Sequence, residues 1–187
     1  LTIFYFGDGA TESGAYYETL NFSKIHNLPI LFICENNFYS TFTDLNIRNS
    51  KPHDITNISK SIGIKSFNED GNDVEKVYKK TLIAKNYIKK NIQPALIEFK
   101  THRVYEHCGP NIDDQLGYRP KNFLKKWLSR CPLKLYENKL KKEKILNNKK
   151  IELLKKVIEK KIDKVFLQVK KDKYPKKSYL KKFIYAN

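Results

Sequence analysis

The sequence contains no methionine, one tryptophan, and only seven glycines and seven prolines among 187 residues. With LTIFYF (1–6) already reading as a buried strand, the missing methionine leads to the expectation that the natural N-terminus is absent and the chain is a fragment. Nowhere is there a run of about 18 apolar residues or a signal-peptide pattern, so neither a membrane span nor secretion has support. A soluble cytoplasmic protein is the default expectation. The three cysteines, Cys34, Cys108 and Cys131, are odd in number and lack a C-x-x-C pair, which speaks against structural zinc or a redox dithiol and for reduced thiols. No fixed-period repeat is present. The length suits one domain with a sizeable core.

What is abundant is positive charge, +17 in all, and its location matters. Residues 1–120 hold 14 Lys+Arg against 14 Asp+Glu, whereas residues 121–187 hold 23 against 6. Lys, Asn and Ile are common throughout while Gly and Ala are scarce, as an AT-rich genome imposes on any protein. That origin is favoured over a polyanion-binding surface or an acidic partner protein, so no nucleic acid is expected as a partner.

Three apolar runs without alternation, LTIFYF (1–6), PILFICE (29–35) and PALIEFK (94–100), read as strands buried on both faces of a parallel sheet, with IKSFNE (64–69) as a fourth strand. Helical periods lie between them at Ser13–His26, Ile55–Ile62 and Asp73–Lys90, the last with Val74, Val77, Tyr78, Leu82 and Ile83 on one face. Strands alternating with helices predict an α/β fold, a doubly wound and mostly parallel sheet whose ligands gather at the carboxyl ends of the strands. The pattern breaks at 101–120, THRVYEHCGPNIDDQLGYRP, into a polar loop of the kind that carries function. Helices follow at Phe123–Arg130 and Leu133–Leu146, then an amphipathic stretch marked by Ile151, Leu154, Ile158, Ile162, Val165 and Val169. Asn147 and Asn148 read as a helix break, residues 172–185 as a closing arm, and the Lys-rich faces as solvated helix surfaces. The expected organisation is an α/β binding domain over 1–120, its N-terminal part missing, and a helical extension of the same domain over 121–187.

GDG (7–9) falls directly after a strand and before a helix, where backbone amides and the positive helix end suit a phosphate. Gly7 and Gly9 allow a tight turn and close approach to a ligand. Asp8 would repel a bare phosphate, and an intervening cation removes the conflict; magnesium, held by one or two carboxylates plus phosphate oxygens and water, suits the place. A second oxygen donor is expected at the neighbouring strand end, where ENNFY (35–39) puts Asn37 29 residues after Asp8.

GDG followed about 26 residues later by NN is the thiamine diphosphate fingerprint, and GDGATESG with FICENNFYS resembles the alpha subunits of the pyruvate, acetoin and branched-chain 2-oxo acid dehydrogenases. The resemblance extends through NISKSIGIKSFNEDGND, HCGPNIDDQLGYRP and WLSRCPLKLYENKL, nearly the whole chain. It implies thiamine diphosphate and Mg2+ as cofactors, with Asp8, the Asn37 side chain and the Tyr39 carbonyl as metal ligands. It further implies that Gly7, Gly9 and Ala10 serve the diphosphate, that His107 is the catalytic loop histidine, and that Arg103 organises its loop. The partners implied are a beta-type subunit in a heterotetramer, which supplies the glutamate that activates the cofactor, and a lipoyl acyltransferase. The reaction implied is oxidative decarboxylation of a 2-oxo acid, or acyloin cleavage, with acyl transfer to a lipoyl carrier. The family's His-Ser pair is His107-Cys108 here, so regulation by phosphorylation of that serine is not expected.

Other readings stand beside these. Asp8, Asn36 and Asn37 could be turn or cap residues, and Glu12 either a first-turn residue favoured by the helix dipole or a cofactor-site orienter. His102 and His107 could pair on a metal, and Cys108 could be a nucleophile, though neither has the further ligands or base that chemistry needs. Tyr16, Tyr17 and Phe22 read as packing or interface residues. A stand-alone thiamine diphosphate decarboxylase or carboligase, or a basic nucleic-acid-binding module, is the alternative function.

Overall fold

Parallel strands buried between helices need long crossovers, and the spacing of the apolar runs supplies them. A computed structural model describes residues 1–50 and 53–182. In chain order its elements begin with β1 (Thr2–Gly7), α1 (Gly14–Ile25), β2 (Ile30–Asn36), and a small hairpin of β3 (Tyr39–Ser40) and β4 (Thr43–Asp44). Next come α2 (Leu45–Arg48), α3 (Ile55–Ser61), β5 (Lys65–Asp70), α4 (Val74–Asn91) and β6 (Ala95–Lys100), and finally α5 (Phe123–Leu128), α6 (Pro132–Lys142) and α7 (Asn148–Lys171). Within the described residues, the four expected strands form one parallel sheet in the order β1-β2-β6-β5. Helix starts are set by short polar caps: Ser13 accepts from the Ala15 amide, Asp54 from Asn57, and Asp73 from Glu75 and Lys76.

The sheet has a core on each face, which is what doubly wound means physically. On one side Leu31, Ile33, Ala95, Ile97 and Phe99 pack against Ala84 and Ile88 of α4; on the other Phe32, Cys34 and Leu96 pack with Leu20 of α1, Ile55 of α3 and Ile64. Burial pushes the Cys34 thiol far up, so it behaves as a small apolar side chain.

Two expectations need correction. β1 is not buried on both faces: it is one of the sheet's two edges, and Ile3, Phe4 and Tyr5 are 47%, 53% and 60% exposed. An apolar run without alternation reports its own hydrophobicity, not whether a neighbouring strand is present. In α4 the packed face is Val77, Ala84 and Ile88 with Tyr87, while Val74, Tyr78 and Ile83 are exposed. Small Ala84 is fully buried in this core, a contact that a search for large apolar residues passes over. The lysines of α7 are exposed as expected, and its apolar positions, including Leu154, Ile158, Ile162 and Val165, are about half exposed.

The chain divides into two compact units, Leu1–Tyr136 and Glu137–Asn187. α5 therefore belongs with the first: Trp127 stacks on His102, and Phe123 lies edge-on to Tyr39. In the second unit Asn147 caps α7 by accepting from the Lys150 amide, at the expected break. The closing arm has a short 3-10 turn at Lys177–Lys181, and its residues 183–185 lie outside the described residues.

Candidate functional site

Parallel register sets Gly7 beside Glu35, so the chain leaves β1 at Asp8 and β2 at Asn37 from adjacent carboxyl ends. Both residues line a cavity of about 260 Å³ together with Gly7, Gly9, Ala10, Tyr39, Ser40, Thr41, Arg103 and His107. Of the residues expected to serve the cofactor or the metal, only Glu12 is missing from this lining. It ends the 3-10 turn Asp8–Glu12, which intervenes between β1 and α1, and its carboxylate is engaged by Arg48 and Asn49.

The turn after β1 is held from within: the Thr11 hydroxyl donates to the Asp8 carbonyl at 2.7 Å, and both residues are buried. The first amides of such a turn have no partner inside it, which leaves that of Gly9 for a ligand. Gly9 is required sterically, since a Cβ there would stand 2.6 Å from the Ser40 hydroxyl oxygen. Gly7 is under no such demand: its φ is −87°, and a Cβ there would meet nothing within 4 Å. The Asp8 carboxylate, 1% exposed, is paired with the Arg48 guanidinium at 2.5 Å, and Arg48 also reaches Glu12.

The second wall is the turn after β2. Asn36 accepts from the Phe38 amide at 2.8 Å, and Asn37 accepts from the Tyr39 amide at 3.0 Å. Phe38 takes a left-handed φ of 69°, which turns the chain into the β3–β4 hairpin and brings Tyr39 to the cavity. An amide oxygen carries two lone pairs, so Asn37 keeps one acceptor site beyond its bond to Tyr39. A carboxylate, an amide oxygen and backbone carbonyls form a hard-oxygen set that fits magnesium. Among the described residues no group of three His, Cys, Asp or Glu side chains could hold a metal, which leaves the His102–His107 pair without support.

The third wall is the polar loop after β6, and its organisation centres on Asp113, a residue the sequence reading passed over. Asp113 is fully buried, and its Oδ2 accepts from Arg103 at 2.9 Å, pairs with Arg119 at 2.7 Å and accepts from the Tyr118 hydroxyl. Burial alone would raise the Asp113 carboxyl, but the Tyr118 hydrogen bond and the two guanidinium groups outweigh it and hold it below the usual carboxylate range. Arg103 then spans the site: Nη2 donates to the Thr41 carbonyl at 2.7 Å, and Nη1 lies 3.2 Å from His107 Nδ1. Arg119 donates to the Arg103 carbonyl at 2.9 Å and sits over the rings of Tyr39, Tyr118 and Phe123. The sequence signal was the density of polar residues in DDQLGYR; which carboxylate was buried could not be read from it. Arg48 likewise carried no signal.

His102 is a packing residue of this loop, stacked on Trp127 at 5.4 Å. Burial, helped by nearby Arg119, lowers its pKa to about 4. The folded protein therefore keeps His102 neutral where the unfolded chain, with a pKa near ~6.5, takes up a proton. Stability falls on that account as pH drops from ~6.5 to about 4. In urea titrations at pH 7 and pH 4.5, His102→Phe should keep the ring packing and lose less stability than the parent; equal losses would show that His102 does not titrate this way.

Fold and site together define a doubly wound α/β protein with an anion- and cation-binding cavity at adjacent strand ends. Residues 1–178 match the dehydrogenase E1 component family, and the chain belongs to it. Membership implies thiamine diphosphate as the cofactor. Its relatives include the pyruvate dehydrogenase E1 component subunit alpha of Rickettsia felis, 35% identical over 129 residues, which are 69% of this chain and 38% of that protein. The mitochondrial 2-oxoisovalerate dehydrogenase subunit alpha 1 of Arabidopsis thaliana is 32% identical over 133 residues (71% of this chain, 28% of that protein). The mouse mitochondrial 2-oxoisovalerate dehydrogenase subunit alpha is 35% identical over 127 residues (68% and 28%). The matched region is thus well under half the length of these relatives. No helix among the described residues is long and apolar enough to cross a membrane.

Proposed function

We propose that this chain provides the diphosphate-and-magnesium half of a thiamine diphosphate site in the alpha-type subunit of a 2-oxo acid dehydrogenase. The observation that carries the reading is the meeting of Asp8, Asn37, Tyr39, Arg103 and His107 around one cavity at the carboxyl ends of β1 and β2. Asp8, the Asn37 amide oxygen and the Tyr39 carbonyl would hold Mg2+, with the metal taking over from Arg48 the neutralisation of the buried carboxylate. The amide of Gly9, with the Arg103 guanidinium across the cavity, would hold the diphosphate. Arg103 also fixes His107 through Nδ1, which leaves Nε2 to hold or move a proton at the mouth of the site.

Thiamine diphosphate supplies, when bound, the electron sink for losing carbon dioxide from a 2-oxo acid. None of the residues lining this cavity is a glutamate, and the base that activates the cofactor is assigned to a beta-type partner in a heterotetramer. The acyl group would pass to a lipoyl acyltransferase. Pyruvate and 2-oxoisovalerate are the substrates in the names of the relatives, and an acyloin such as acetoin is the further candidate.

The test is reconstitution of the full-length chain with a beta-type subunit, assayed for reductive acylation of a lipoyl domain with pyruvate, 2-oxoisovalerate and acetoin. Acylation by at least one substrate, lost in His107→Ala while cofactor binding persists, is the expected result. Release of free aldehyde with no acylation would instead identify a stand-alone decarboxylase.

A further inference from the structure

PALIEFK contains a charge in the middle of an apolar run, and its strand is central in the sheet. Glu98 is 4% exposed on β6, in register with Cys34 of β2 and Asn68 of β5. Its carboxylate is met by amides: Oε1 accepts from Asn36 Nδ2 at 2.7 Å, and Oε2 accepts from Asn68 Nδ2 at 2.9 Å. Burying a carboxylate with amide partners alone is costly compared with an apolar residue. Burial pushes its carboxyl up, and the Asn36 hydrogen bond opposes the shift.

From this geometry we infer that Glu98 is a positioning residue for the magnesium-binding turn, acting through the orientation of the Asn36 amide; the inference rests on the reading of that turn given above. An ionised carboxylate only accepts hydrogen bonds, so the Asn36 NH2 must face Glu98. Rotating the Asn36 amide would bring two acceptors together and leave Phe38 without its partner. With Nδ2 fixed on Glu98, Oδ1 has to face the Phe38 amide, which it accepts at 2.8 Å. That bond supports the left-handed φ of 69° at Phe38, an unfavourable conformation for a bulky residue. Asn37 and Tyr39 flank Phe38, so the place of both proposed metal ligands follows from the chain Glu98–Asn36–Phe38. Asn68 holds the other carboxylate oxygen but does not touch the turn, which makes it a control within the same cluster.

Glu98→Leu removes both charge and acceptor. Glu98→Gln removes the charge but keeps an acceptor for Asn36, since exposed Asn68 can reverse its amide to match. Asn36→Ala removes the link without touching Glu98. Each variant of the full-length chain, assembled with a beta-type subunit, would be titrated with Mg2+ at saturating thiamine diphosphate by calorimetry.

Glu98→Leu and Asn36→Ala should weaken the apparent magnesium affinity at least about tenfold, as loss of a group that orients a metal ligand does. Glu98→Gln and Asn68→Ala should stay within about threefold of the parent. At saturating Mg2+, all four should recover near-parental cofactor affinity, since the turn places the metal and not the diphosphate amide. Unchanged magnesium affinity in Asn36→Ala would overturn the inference even if Glu98→Leu fails to assemble. A fall in Glu98→Gln as large as in Asn36→Ala would also overturn it, by showing that the carboxylate acts through its charge. If the parent complex binds well and these variants match it, the inference alone fails; if the parent itself shows no magnesium-dependent binding, the site reading fails and takes the inference with it.

Discussion

Asp8→Ala is expected to abolish magnesium-dependent retention of thiamine diphosphate, lowering its affinity at least about 100-fold, while the sheet stays folded. Asp8 is the only carboxylate in the proposed ligand set, and a neutral water in its place would not supply its charge. The turn around it survives the change, because the Thr11 hydroxyl binds the Asp8 backbone carbonyl and not the side chain. Arg48 keeps Glu12 and is not left as an uncompensated cation. Asn37→Ala removes a neutral ligand and should cost less, about tenfold. Equilibrium dialysis with and without Mg2+ separates the cases, and parental affinity in both variants would defeat the site assignment.

The largest stability effect is expected at Asp113. Removing one partner of a buried ion pair leaves the other charge uncompensated, and here one carboxylate oxygen serves Arg103, Arg119 and Tyr118. Asp113→Ala should therefore destabilise the protein by about 3–5 kcal/mol in urea titrations. Arg119 bears most of this, because it is 7% exposed among aromatic rings and has no route to solvent without dismantling them. The same variant should free Arg103 and with it His107, so turnover should fall even under conditions where the fold persists. Because the folded Asp113 carboxyl is held below its ordinary value, its contribution is present above the unfolded pKa of ~3.9 and is lost as pH falls through the lowered folded value. A loss under about 1 kcal/mol would mean that the loop does not depend on this carboxylate.

What the sequence disclosed and what it hid follow from the range of the interactions involved. Strands β2 and β6 were legible because burial on both faces writes itself locally, as runs of Ile, Leu and Phe, whereas β5, at an edge of the sheet with Ser66 as its buried residue, was legible from its place between two helical periods. GDG and NN were legible together because a strand, a turn, a helix and a strand fix how far apart two adjacent strand ends lie in sequence. The edge position of β1 was not legible, since it depends on which neighbour is present. Asp113, Arg119 and Arg48 were hidden for a related reason: their contacts depend on how the folded loops meet, over separations from 5 residues (Asp113 to Tyr118) to 40 (Arg48 to Asp8), and in sequence Asp113 is no different from the adjacent Asp114. Glu98 did leave a signal, a lone carboxylate in a central strand, but its meaning depends on Asn36, 62 residues earlier.

The most direct test of the account is calorimetric titration of thiamine diphosphate, with and without Mg2+, into the full-length chain assembled with its beta-type subunit. The account predicts binding that requires Mg2+ and is eliminated by Asp8→Ala. A folded, assembled complex that binds no thiamine diphosphate at saturating Mg2+ would contradict it.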